Sequence, residues 1–313
     1  ICLYCLSCAC ACQAIRPLVP SFKIRTLLYT VLLYVPVLFS YALFQRVYRN
    51  GIEMPFALFL FSGLIALYLR SDEKKSRVLP WVLLACVGMV YIVLGKENGI
   101  WPIPFVAVCV LVTVVKWVRA WSKRIFDVPA LLYRVVACAL ACLAVCGVGL
   151  FVARANAKAY GVQVLNDKYE SSFADASSLI MSIGQGTSTD EDVWISRETL
   201  EVAFQTSPSL MRYRDYYVKA WDKWAGAGGE LQGDISYWAL RDGYLQAGGY
   251  VSGAETNRYW SDVAAELQQA FRNATLRKRE GISISKTTLP IPAGGLSQVV
   301  IDAIRTMGSL VKM

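Results

Sequence analysis

Residues 135–153, VVACALACLAVCGVGLFVA, run for 19 positions without a charge, closed at the two ends by Arg134 and Arg154. A helix rises about 1.5 Å per residue and the hydrocarbon core of a bilayer is about 30 Å thick, so about 20 such residues cross it. This run also divides the chain. Further apolar runs precede it, and an ordinary mixture of charged, polar and apolar residues follows.

Charge divides at the same place. Residues 1–153 carry 15 Lys+Arg against 5 Asp+Glu, whereas residues 154–313 carry 17 against 18. The net charge of +9 therefore comes from short loops between apolar runs. Membrane topology accounts for that placement, and a nucleic-acid partner does not. All ten cysteines also lie before residue 147, so the second half holds itself together without disulfides. The chain contains no histidine, which removes histidine triads, histidine general bases and nearly all catalytic zinc sites. No metal and no cofactor is expected.

The apolar runs before the last one cover residues 26–45, 54–69, 78–95 and 98–115, and residues 1–15 read as the tail of another span. The run at 54–69 is short enough to suit a thin bilayer or a re-entrant segment. About five complete spans are thus expected. The chain opens on Ile1 inside an apolar stretch, which reads as a chain whose upstream spans lie outside it. The odd loops between spans hold 11 basic residues and the even loops 3. The positive-inside rule makes the odd loops cytoplasmic and sends residues 154–313 to the outer face. Trp81, Trp101, Trp117 and Trp121 stand near span ends, as interface anchors do. Arg134, at the foot of the last span, is expected to snorkel to the inner surface.

The second half reads as helical. Residues 162–183 place Leu165, Tyr169, Phe173, Ala176, Leu179 and Ile180 on one side of a helix. Ser207 followed by Pro208 opens a helix expected to run through Trp224. Asp234 is placed to cap the next, ISYWALRDGYLQA, which Gly248 and Gly249 end. The clearest stripe is Trp260, Val263, Ala264, Leu267, Ala270 and Phe271, with Asp262 and Glu266 opposite. A last helix is expected over about 296–311. The fold class is therefore all-α: a multispan transmembrane helical bundle (1–153) followed by a soluble extracytoplasmic helical domain (154–313).

Three groups of residues carry chemistry worth weighing. Lys96, Glu97 and Asn98 lie between two spans. There a lysine can meet a lipid phosphate and a glutamate can accept a proton, although a plain polar turn has the same composition. Trp238, Arg241, Asp242 and Tyr244 put aromatics beside paired charges on one helix, as a glycan-binding surface does and as a small helical core also does. Cys5, Cys8, Cys10 and Cys12 invite soft-metal binding, against which cysteine also serves as a small hydrophobe in lipid.

The stretch KENGIWPIPF resembles a loop of multispan, lipid-sugar-dependent glycosyltransferases of the GT-C type. The stretches VLNDKYESSFADASSLIMSI, WALRDGYLQAGGY and YWSDVAAELQQAF resemble the C-terminal part of a group of uncharacterised bacterial polytopic membrane proteins. The first resemblance implies a polyprenyl-phosphate sugar as donor, with Lys96 and Glu97 near the lipid phosphate. The catalytic carboxylate of that family lies in the first outer loop, upstream of this chain, so no catalytic residue carries over and enzymatic activity stays open. Two readings result. One is a bacterial plasma-membrane (inner-membrane) protein of the cell envelope acting as a glycosyltransferase on a polyprenyl-phosphate sugar at the outer face. The other is a non-enzymatic envelope protein whose outer helical domain binds a partner or glycan.

Overall fold

A backbone in hydrocarbon must satisfy its own hydrogen bonds, so each apolar run that crosses a membrane folds as a helix. The computed structural model describes residues 1–38, 49–71, 73, 75–95, 99, 101–125, 127–190, 192–283, 285–291, 295, 297, 298, 301, 302 and 305. Among them every regular element is an α-helix, and extended pairing is limited to two isolated antiparallel bridges, Ile183 with Lys278 and Ile282 with Ile291. The chain separates into two compact units, Ile1–Val152 and Ala153–Met313.

The first unit holds α1 (Cys2–Ala14), α2 (Phe22–Leu38), α3 (Arg49–Leu69), α4 (Lys75–Gly95), α5 (Ile103–Ser122) and most of α6 (Val128–Tyr160). Among the described residues four helices are long and apolar enough to cross a membrane: Gly51–Leu69, Arg77–Gly95, Ile103–Ser122 and Val128–Tyr160. The short run at 54–69 is lengthened to a 19-residue span by helical residues on its N-terminal side. The run at 98–115 starts later than its composition suggests, because the helix opens after Pro102, and it continues past Lys116 and Arg119 to Ser122. The expected span at 26–45 begins within α2, and residues 39–48 lie outside the described ones.

Helices α3 and α4 meet through glycine. A Cβ at Gly63 would fall 2.6 Å from the Trp81 carbonyl oxygen, and one at Gly88 would fall 2.6 Å from the Leu60 nitrogen. Small residues at these points let the two backbones touch, which is how helices associate where lipid removes the hydrophobic driving force. Leu60, Leu64, Ala85 and Ile92 fill the seam, and the Phe56 and Tyr91 rings stack at 3.9 Å.

Cations close the C-terminal end of α3, where carbonyls lack helical partners. Lys116 Nζ on α5 donates to the Tyr68 carbonyl at 2.7 Å. Arg134 Nη2 on α6 donates to the carbonyls of Ser71 at 3.2 Å and Glu73 at 2.6 Å. Arg134 is 2% exposed, so it does not snorkel to a surface as expected; its hydrogen bonds to backbone oxygens in the turn after α3 hold it inside. Trp117 departs from its expected place too. It is fully buried against Leu67, Val78 and Val82, whereas Trp101 and Trp121 remain exposed.

The second unit begins with the last turns of α6 and continues through α7 (Asp167–Glu170), α8 (Ser172–Met181), α9 (Arg197–Thr206), α10 (Pro208–Met211), α11 (Arg214–Ala225), α12 (Ile235–Gln246) and α13 (Gly253–Arg272). Serines start four of these. Ser171, Ser196, Ser207 and Ser252 each accept a hydrogen bond from the backbone N–H three residues on. The stretch 162–183 is therefore not one helix: Ser171 turns extended and separates α7 from α8. The expected helix from Ser207 to Trp224 breaks as well, at Arg212 and Tyr213, into α10 and α11. Asp234 occupies the cap position of α12 but makes no capping bond, because its carboxylate pairs with Lys168 at 3.2 Å.

The core of this unit is aromatic. Phe173 on α8 meets Trp260 on α13 edge to face at 4.8 Å, and Tyr244 on α12 stacks on Tyr259 at 4.2 Å. Gly243 admits Tyr217 of α11, whose ring carbon would lie 2.5 Å from any Cβ there. The predicted stripe on α13 is buried at Trp260, Val263, Ala264, Leu267 and Ala270, with Phe271 partly buried. Glu266 does not face water opposite that stripe. It accepts from Ser207 Oγ, from Ser209 N at 3.1 Å and from Ser209 Oγ at 2.7 Å, binding the junction of α9 and α10.

Candidate functional site

A cavity of about 410 Å³ opens in the second unit between the last turns of α6, the start of α8 and the first turns of α13. Sequence dictates each wall. Gly161, at φ +77°, turns the chain sharply after α6. Gly253 lets the start of α13 approach that turn, since a Cβ there would stand 2.4 Å from the Tyr160 carbonyl oxygen. Tyr160 and Tyr250 supply exposed aromatic surface, with Phe173 and Trp260 buried behind them.

Polar groups fix the frame. Asn156 Nδ2 donates to the Val164 carbonyl at 2.8 Å, and Asn257 Oδ1 accepts from the Ser172 N–H at 3.1 Å. The Asp167 carboxylate is paired with the Arg241 guanidinium, which also lies over the Phe173 ring at 4.6 Å. Burial pushes the Tyr250 hydroxyl up to about 12, with Arg241 opposing the shift, so this phenol stays protonated and can donate. Thr256 Oγ1 and Trp260 Nε1 are buried behind the lining and meet no close hydrogen-bond partner, although the Trp260 indole lies toward the Tyr250 hydroxyl and opposes its shift.

The residues singled out in the sequence are only partly gathered. Lys96, Glu97 and Asn98 lie outside the described residues. On α12, Arg241 reaches the cavity wall through Asp167, and the exposed Trp238 ring lies 5.9 Å from its guanidinium. Asp242 points elsewhere, to Lys223 Nζ at 2.8 Å and Trp224 Nε1 at 2.9 Å on or beside α11. The Lys223 bond holds its carboxyl below the usual carboxylate range. Tyr244 belongs to the core. Thus Arg241 and Asp242, adjacent in sequence, serve different neighbours. The cysteines at 5, 8, 10 and 12 lie along the single helix α1, with Cys8 and Cys12 buried. Among the described residues no group of three or more His, Cys, Asp or Glu side chains is placed to hold a metal ion.

Sequence reasoning missed Tyr160, Tyr250, Thr256 and Asn257. A signal existed for one of them: Thr256 sits one turn before Trp260, a hydroxyl on the face that otherwise reads as a core stripe.

Among the described residues, four helices of membrane-crossing length and a helical second unit with a cavity are compatible with an all-α membrane protein. Compared with protein-family models, with curated proteins and with solved structures, the chain matches none.

Proposed function

We propose that this is a multi-pass protein of the bacterial plasma membrane whose C-terminal helical unit faces outward and binds a small neutral glycan in the cavity beside α13. The observation that carries the reading is the cavity of about 410 Å³ itself, lined by the exposed rings of Tyr160 and Tyr250 beside the polar side chains of Asn156, Ser252 and Asn257. That volume lies within the range of small-molecule sites. The exposed Tyr160 and Tyr250 rings suit the C–H faces of a sugar, and the remaining amide capacity of Asn156 and Asn257 suits its hydroxyls. The outward orientation rests on the excess of basic residues in the odd loops. Glycosyl transfer from a polyprenyl phosphate would rest on Lys96 and Glu97, and no observation on the described residues favours it.

The test is titration of the purified full chain with a disaccharide of N-acetylglucosamine, followed by tryptophan fluorescence and by thermal midpoint. A saturable change is expected, weakened at least about tenfold in Tyr160→Ala and Tyr250→Ala, because each removes a stacking face. If this and other neutral disaccharides leave both signals flat, the cavity is not a glycan site.

A further inference from the structure

We infer that a second site, in the membrane unit, binds the phosphate of an anionic lipid headgroup. The cavity is an open cleft of about 1000 Å³ where the end of α1, the end of α3 and the start of α4 converge. Among the described residues three arginines line it, Arg16, Arg70 and Arg77, against one carboxylate, Glu73. That carboxylate is shared: Arg70 Nη1 meets one oxygen at 2.8 Å and Arg77 Nη1 approaches the other at 3.8 Å. Arg16 is exposed and makes no ion pair or side-chain hydrogen bond among the described residues. Arg70 is fixed by bonds to Glu73 and to the Gln13 carbonyl and by the Trp81 ring 5.2 Å away, yet its Nε is left without a partner. The cleft is thus built, rigid on one side and short of negative charge.

Its position selects the source of that charge. The apolar windows of α3 and α4 end at Leu69 and begin at Arg77, so the arginines stand at the level where hydrocarbon gives way to water. The remaining wall is apolar, with Leu6, Pro17, Pro80 and Trp81 beside the guanidiniums. A ligand that is anionic at one end and apolar at the other matches both parts. Guanidinium forks also suit phosphate oxygens better than point charges do. Basic pockets between membrane helices are known to hold anionic headgroups by this chemistry. Neither Lys116 nor Arg134 belongs to the cleft. Each cation is spent on carbonyls near the end of α3, which leaves Arg16, Arg70 and Arg77 as the phosphate-facing set.

The experiment uses the full chain in neutral detergent, with native mass spectrometry and thermal midpoint as readouts. The probes are dioleoyl phosphatidylglycerol, dioleoyl phosphatidylcholine and inorganic phosphate. Phosphatidylglycerol should be retained as one molecule per chain and should raise the midpoint, and phosphatidylcholine should do neither. The double variant Arg16→Gln/Arg77→Gln should weaken retention about 30-fold, from about a fivefold loss per cation near the membrane surface. Arg16→Lys/Arg77→Lys should recover part of it, since charge is kept and the guanidinium fork is lost. Lys123→Gln/Arg124→Gln, which removes equal charge from the end of α5, should change nothing. Both cleft residues are exposed, so the variants are expected to fold, and an unchanged helical spectrum checks this. If inorganic phosphate binds with the same arginine dependence and the lipid does not, the phosphate chemistry stands and its source is soluble. Equal retention of the two lipids overturns the proposal. So does retention that ignores the cleft arginines or falls equally in the α5 variant.

Discussion

Single residues in this chain are decided by what they leave unsatisfied. Arg134 is buried because the Ser71 and Glu73 carbonyls need a donor. Arg134→Met should therefore lower the thermal midpoint of the full chain in detergent, at a cost of about 1–3 kcal/mol for each carbonyl stranded. Arg134→Lys, with one ammonium for two acceptors, should recover only part of the loss. Glu266 is the counterpart in the second unit. Glu266→Ala removes three charge-assisted bonds at the α9–α10 junction and should cost about 1.5–3 kcal/mol, more than any exposed carboxylate of α13. Burial also raises the phenols of Tyr217, Tyr237 and Tyr259. A phenol in the unfolded chain loses its proton near pH 10, so the native state binds these protons more tightly and its stability falls as pH rises beyond about 10. Tyrosinate absorbance should then appear together with loss of helix. Phenols that ionise while the helical signal stays intact would show that these rings are not buried.

At the scale of the element, the stripes were legible and the junctions were not. Leu267 could be assigned to the core from α13 alone, since apolar residues recur every three to four positions. Leu267→Ala should cost about 2–5 kcal/mol by calorimetry or chemical unfolding. The break at Ser171 was harder to read, because apolar residues keep helical spacing on both sides of a residue whose backbone turns extended. Arg241 and Asp242 show the same limit in side chains. Neighbours on a helix diverge by about 100°, so their partners lie on other elements, and pairing across elements is not written in local spacing. In the membrane unit the seam between α3 and α4 depends on Gly63 and Gly88. Gly63→Leu should push the helices apart, seen as a lower midpoint and faster proteolysis of the full chain, whereas Gly147→Leu on α6, with open space around it, should be tolerated.

At the scale of the molecule, the sequence displayed an all-α membrane protein through run length and charge placement alone. The cavity beside α13 was illegible because its walls come from residues as far apart as Asn156 and Trp260, which nothing in local periodicity connects. Orientation is testable directly. In a cysteine-free background, a Cys introduced at Gln268 should react with a membrane-impermeant thiol reagent in intact cells, and one at Lys123 only after lysis. The reverse pattern would turn the protein over and place residues 154–313 inside the cell.

The Arg134 clamp also bears on the order of assembly. Helices α3 and α4, joined by a turn of a few residues and seated glycine to backbone, can pair as soon as both have left the ribosome. The carbonyls of that turn obtain their donor from a residue synthesised 61 to 63 positions later. Until α6 arrives, the early hairpin carries an unsealed end and must keep it in water. The final span therefore acts as a latch on a pair of helices made well before it, and a nascent chain arrested ahead of position 134 holds the pair without the fastening.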